Sequence, residues 1–181
     1  MTGPSAASPW PAGTPSREGR IRILLTGMSA VGKSTLVGLV RERGWAAVDL
    51  DDGYTTESIG LPGEVLWLED RVRQLLDGPE EVLFVAGCAS NQVRFHNDFD
   101  HIVLLSAPRE VVRQRLRTRD TNPFGKAADE EAQVLADQAA VEPLLRRAAD
   151  HEVVTTGSLE QTLREVLDVC ETAIKRRGRR A

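Results

Sequence analysis

Cysteine is nearly absent from this 181-residue chain: only Cys88 and Cys170 occur, far apart and without metal-ligand spacing. A disulfide scaffold and a cysteine-built metal site are excluded, and reduced thiols are expected. Cys88, next to Gly87, reads as a small buried residue rather than a nucleophile. Histidine is almost as scarce. His96, His101 and His151 show neither metal spacing nor a triad partner and are read as structural. No apolar run approaches the roughly 20 residues a membrane span needs. The N-terminus has no basic start followed by an apolar core, so a cytoplasmic protein with no membrane partner is expected.

A strongly basic body is missing too. The formal charge is -4, from 23 basic and 27 acidic residues. Five of the basic residues sit in Lys175–Arg180. Setting these aside leaves 18 basic against 27 acidic, a body of -9 that argues against a nucleic-acid partner. The basic tail, 175–181, reads as a solvated, frayed end, and residues 1–19, with four prolines, as disordered. The 41% hydrophobic content fits a single core, here placed at 20–174.

What is present is punctuated apolar runs. Ile21–Thr26, Ala46–Asp49, Val82–Ala86, His101–Leu105 and Glu152–Thr156 read as strands. Helical patterns lie between them, at about 33–43, 64–77 and 128–149, with one starting at Pro108 and a last one led in by Gly157-Ser158 and running to about 174. Alternation from end to end predicts an α/β fold, a parallel sheet covered by helices on both faces. Its ligands are expected beyond the carboxyl ends of the strands.

The chemistry gathers at those ends. Gly27-Met28-Ser29-Ala30-Val31-Gly32-Lys33-Ser34 fits G-x-x-x-x-G-K-[ST], between a strand and a helix as a P-loop requires. Backbone N–H groups of Gly27, Ser29, Ala30, Val31, Gly32, Lys33, Ser34 and Thr35 can converge on a phosphate at a helix N-terminus. Lys33 can reach the β- and γ-phosphates of ATP, and Ser34 can offer its hydroxyl to Mg²⁺. Asp49 and Asp51 point the same way from the second strand's end, one suited to the magnesium and one to the acceptor hydroxyl. The basic run Arg113–Lys126 ends in a turn-rich segment that can close as a lid at about 117–128, with Arg115 and Arg119 as catalytic candidates. Gly87, Ser90, Asn91 and Arg94 follow the third strand and suit a polar acceptor. Trp67 and Arg71, read on one helix face, can also line its pocket, although Trp67 equally suits the core.

These residues together resemble the shikimate-kinase-like branch of the P-loop small-molecule kinases, a group related to gluconate kinases, nucleoside monophosphate kinases and some antibiotic phosphotransferases. Asp49-Leu50-Asp51 resembles the family's D-x-D, Gly63-Glu64 with Trp67 its G-E-x-x-F, and Pro143-Leu144-Leu145 with Ala149-Asp150 its P-L-Y…A-D. The resemblance implies a P-loop NTPase three-layer α/β/α fold with a five-stranded parallel sheet in the order 2-3-1-4-5, and a mobile lid. It implies ATP and Mg²⁺ as cofactors, a small-molecule acceptor, and an adenine near Thr155–Ser158, Thr156 included. A monomer or homodimer is expected. The family's two carboxylate-holding arginines are replaced by Leu68 and Val141, and its G-G-G by Gly87-Cys88-Ala89. The reading is therefore an ATP-dependent phosphotransferase to a hydroxyl, with an acceptor other than shikimate. The alternatives are a nucleoside or nucleotide kinase, or an ATPase switch without a small acceptor. A guanine-reading N-K-x-D is absent.

Overall fold

The computed structural model describes residues 19–59, 63–119, 125 and 127–178. Residues 1–18, 60–62, 120–124, 126 and 179–181, half of the expected lid at 117–128 among them, lie outside the described residues.

Five parallel strands form the sheet: β1 (Ile21–Thr26), β2 (Ala46–Asp49), β5 (Val82–Ala86), β6 (His101–Ser106) and β7 (His151–Val154). Their order is β2-β5-β1-β6-β7. Counting these five alone, the order is 2-3-1-4-5, as the resemblance implied. β3 (Thr55–Glu57) and β4 (Val65–Trp67) form a separate antiparallel pair, Thr55 opposite Trp67. The helices are α1 (Lys33–Glu42), α2 (Glu69–Leu76), α3 (Arg109–Thr118), α4 (Ala128–Ala148) and α5 (Leu159–Gly178).

Side-chain alternation along β1 explains the layers. Ile21, Ile23 and Leu25 face one way and pack with Val37 and Val40 of α1, Val112 of α3, Leu135 of α4 and Leu163 of α5. Leu24 faces the other way, with Leu83 and Val85 of β5, Val72 and Leu76 of α2, and Trp67, Phe95 and Phe99. Both faces are covered, so the strands read as nearly unbroken apolar runs. Each fully buried Leu or Phe contributes roughly 1.5–3 kcal/mol. Arg22 is the exception in β1. It is 4% exposed, and its guanidinium donates to the carbonyls of Leu76, Glu80 and Gly78 at 2.8–2.9 Å. Those bonds satisfy the donors that burial would otherwise orphan.

Three expectations are corrected. The helix expected at 64–77 begins only at Glu69, because Val65–Trp67 pairs as a strand with Thr55–Glu57. Trp67 and Arg71 therefore do not share a helix face. Trp67 is core, 2% exposed against the Phe95 ring at 5.4 Å. The last helix does not stop near 174 but continues to Gly178. Among the described residues no helix is long and apolar enough to cross a membrane.

Candidate functional site

β1 sits at the centre of the sheet, so the loop after it lies at the middle of the carboxyl edge. That loop needs unusual backbone. Gly27 has φ +151 and Gly32 φ +104, and Ala30 takes φ +63, at some strain for a residue with a Cβ. A Cβ on Gly27 would sit 2.3 Å from the carbonyl oxygen of Leu105 in β6, so only glycine lets the loop leave the sheet there. Gly32 then opens α1, with Leu36 N–H donating to its carbonyl at 3.0 Å. Ser34 and Thr35 are exposed in the first helical turn.

The loop is braced from one side. Thr155, just past β7, donates its hydroxyl to Val31 O at 2.8 Å. Arg115 of α3 donates to Ala30 O and Val31 O at 3.3 Å, and to both the hydroxyl (2.9 Å) and the carbonyl of Thr155. Burial pulls the Arg115 and Arg119 guanidinium pKa values below the ordinary value. Thr156 is exposed one residue further on.

On the other side lie the carboxylates. Asp49 is 5% exposed, and its Oδ1 accepts from Asp51 N–H at 3.2 Å, which fixes the turn after β2. Asp51 reaches solvent but is hemmed in by protein on its inner side. This desolvation pushes its carboxyl above the usual range, against the pull of nearby Lys33 and with Asp49 and Asp52 adding to the rise. Lys33 folds back so that its ammonium donates to Gly27 O at 2.7 Å and Met28 O at 3.1 Å. Cys88, after β5, lies near Lys33, Asp51 and Thr26, and burial pushes its thiol up.

A cavity of about 990 Å³ opens beside the loop, from Met28 and Ser29 outward. Cys88, Ser90 and Gln92 form its floor, and Gln92 accepts from the Thr26 hydroxyl at 3.0 Å. Glu64 and Val65 of the small hairpin form one wall; Asp137, Val141 and Leu144 of α4 form the other. Of the expected acceptor residues only Ser90 lines this space. Asn91 instead ties down the hairpin: its Oδ1 accepts from Trp67 N–H at 2.8 Å and its Nδ2 donates to Trp67 O at 3.0 Å. Arg94 pairs with Glu69 at 2.5 Å. Arg71 donates to Gly53 O at 2.6 Å and lies over the Tyr54 ring. Gly87 packs against Leu50 and the Trp67 indole, where a Cβ would come within 3.2 Å of both.

Sequence reasoning did not place Glu64, His96, Asp137 or Leu144 at the cavity they line, and reached the α4 wall only at Val141, where the resembled family holds a carboxylate with arginine. Periodicity alone does not mark Val141 as a cavity residue, because it continues the stripe of buried Val134, Gln138 and Leu145 and so reads as core.

A glycine loop between a central strand and a helix, facing carboxylates across a parallel sheet of this order, defines a P-loop NTPase fold. Within that class, residues 23–136 match the AAA domain, and the chain belongs to that family. No curated protein matches it in sequence. Among solved structures, shikimate kinase from Bacteroides thetaiotaomicron is similar over 83% of this chain and 98% of its own, at 19% identity and TM-score 0.60. Shikimate kinase from Acinetobacter baumannii, in complex with shikimate, is similar over 86% and 95%, at 20% identity and TM-score 0.60. A sugar kinase from Janibacter sp. HTCC2649 is similar over 86% and 97%, at 20% identity and TM-score 0.55. At such identities the likeness is one of fold.

Proposed function

We propose that this protein is an ATP-dependent kinase that moves the γ-phosphoryl group to a hydroxyl of a small molecule held in the 990 Å³ cavity. One observation carries the reading: the Lys33 ammonium, the Asp51 carboxylate and the cavity mouth at Met28 and Ser29 share one sheet edge. A phosphate cradle alone serves many ATPases; a roomy, partly apolar cavity opening from it is what a second substrate needs.

The backbone from Gly27 to Thr35 receives the phosphates. Lys33, resting on two loop carbonyls, turns to the β- and γ-phosphates, exchanging neutral acceptors for charged ones. Arg115 holds the loop's shape through Ala30 and Val31, and Arg119 stands where α3 leads toward the lid. Thr156 stands beside the base. The acceptor hydroxyl gives its proton to Asp51 as its oxygen bonds to the γ-phosphorus. The bond from that phosphorus to the β–γ bridging oxygen breaks, and ADP leaves.

Among the described residues no cluster of three or more His, Cys, Asp or Glu forms a metal cage. Ser34 and Asp49 suit Mg²⁺, which takes one or two protein groups and otherwise keeps phosphates and water. When bound, the ion neutralises charge on the phosphates. With Val141 in the wall and no described arginine or lysine lining it, the cavity favours an acceptor other than shikimate or a nucleotide.

The test is Lys33→Ala. Loss of a charge-assisted hydrogen bond, about 1.5–3 kcal/mol, predicts MgATP binding at least tenfold weaker and acceptor-dependent ADP release abolished. Parent-like binding and turnover in this variant would refute the reading.

A further inference from the structure

The cavity's lining restricts the charge and character of what enters it. Val65, Val93 and Leu144 are 38%, 66% and 57% exposed, unusual for large apolar side chains, and all three line this one space. Apolar side chains gathered at a cavity rather than scattered singly mark a ligand surface. Two carboxylates stand among them, Glu64 on the hairpin side and Asp137 on α4. Asp137 accepts from Gln133 at 2.7 Å, a neutral partner. Among the described residues neither carboxylate has an ion pair, and no lysine or arginine lines the cavity. The two cations nearest the hairpin wall in sequence are committed elsewhere, Arg71 to Gly53 O and Arg73 to Asp98.

We propose that the acceptor is an amphipathic alcohol bearing an ammonium group, and that Glu64 and Asp137 select it by charge while Val65, Val93 and Leu144 cover its apolar part. This rests on the kinase reading above and names the substrate class of that same site. An anionic acceptor would enter against two uncompensated negative charges, with the apolar wall reducing the screening between them. A purely apolar one would leave both carboxylates desolvated without a cationic partner. An ammonium group joined to an apolar body meets both demands.

The test uses three probes that share a phenyl ring and a primary hydroxyl and differ at the nitrogen: phenylalaninol (cationic), N-acetylphenylalaninol (neutral) and N-succinylphenylalaninol (anionic), the double variant below separating charge from the bulk of the N-substituent. Calorimetric titration of the full chain with MgADP present reads binding without turnover. Phenylalaninol is expected to bind about tenfold more tightly than the neutral probe, the worth of one charge-assisted hydrogen bond, and the succinyl probe most weakly. In the double variant Glu64→Gln, Asp137→Asn the cationic and neutral probes should reach parity, with MgATP affinity unchanged. A flat or reversed order, no binding of any probe at millimolar concentration, or a preference that survives the double variant overturns the inference. The kinase reading fails separately, if phenylalaninol binds in this order yet neither it nor any larger amino alcohol stimulates ADP release.

Discussion

The two motif glycines are expected to fail differently when substituted by alanine. At Gly27 the added Cβ would lie 2.3 Å from Leu105 O and 3.0 Å from Val31 Cγ2. Restoring ordinary contact needs about 1 Å of movement in a backbone carbonyl of β6, a strand paired on both sides. Overpacking of this kind costs about 1–3 kcal/mol, and the left-handed φ of +151 adds about 1–2 kcal/mol more. At Gly32 nothing lies within 4 Å of the added Cβ, so only the φ of +104 counts, again about 1–2 kcal/mol. Gly27→Ala should therefore lose about 2–5 kcal/mol, lowering Tm by about 5–15 °C for a chain of this size. Gly32→Ala should lose less than half as much stability. Its main damage falls on MgATP affinity, because relaxing that φ turns the N–H groups at the start of α1 away from their common focus. Urea denaturation gives the first quantity and nucleotide titration the second. Equal stability losses, or a Gly27→Ala protein melting within a few degrees of the parent, would show that the clash is absorbed locally and would refute the argument.

Asn91→Ala should destabilise the protein by about 1–3 kcal/mol, since it removes two hydrogen bonds and orphans the N–H and C=O of buried Trp67; faster amide exchange confined to 55–67 would locate the effect. Glu152 gives a pH signature. Hydrogen bonds from Arg146, and then from Ser106, hold its carboxyl below the usual range. A depressed folded pKa makes the contribution fully present above the unfolded carboxylate value, about 4.3, and lost as pH falls through the folded pKa. Denaturation midpoints across acid pH should show this loss in the parent, and Glu152→Gln should flatten that part of the profile.

The sheet was legible because its strands are local, apolar and punctuated, and the P-loop because its chemistry occupies eight consecutive positions. The hairpin was not. Val65, Leu68 and Val72 continue a helical period, and what makes 65–67 a strand is distant: Thr55 pairing across and Asn91 holding Trp67 from 24 positions away. The same distance hid the cavity. One wall comes from residues 64–65 and the other from 137–144, and no local pattern relates them. Asn91 was noticed as a polar group at a strand end, but its amide serves the backbone. Polarity marks where hydrogen bonds are made without saying to whom.

The strand order has a last consequence. β2 and β5, with Asp49, Asp51 and Ser90 at their ends, lie to one side of β1; β6 and β7, with Arg115 and Thr155 close by, lie to the other. Under the proposed reading the phosphate loop is gripped by Arg115 and Thr155 from the β6–β7 side and faced by the carboxylates from the β2–β5 side, while the acceptor cavity is walled from both, by the hairpin and by α4, which Gln138 ties to Ala107 after β6. Changes in the hairpin wall can drift toward a new acceptor without touching Arg115 or Thr155, whereas changes in α4 alter the acceptor wall and the packing on β6 together. A fold arranged in this way can vary one wall of its acceptor site while the grip on the phosphate loop stays constant.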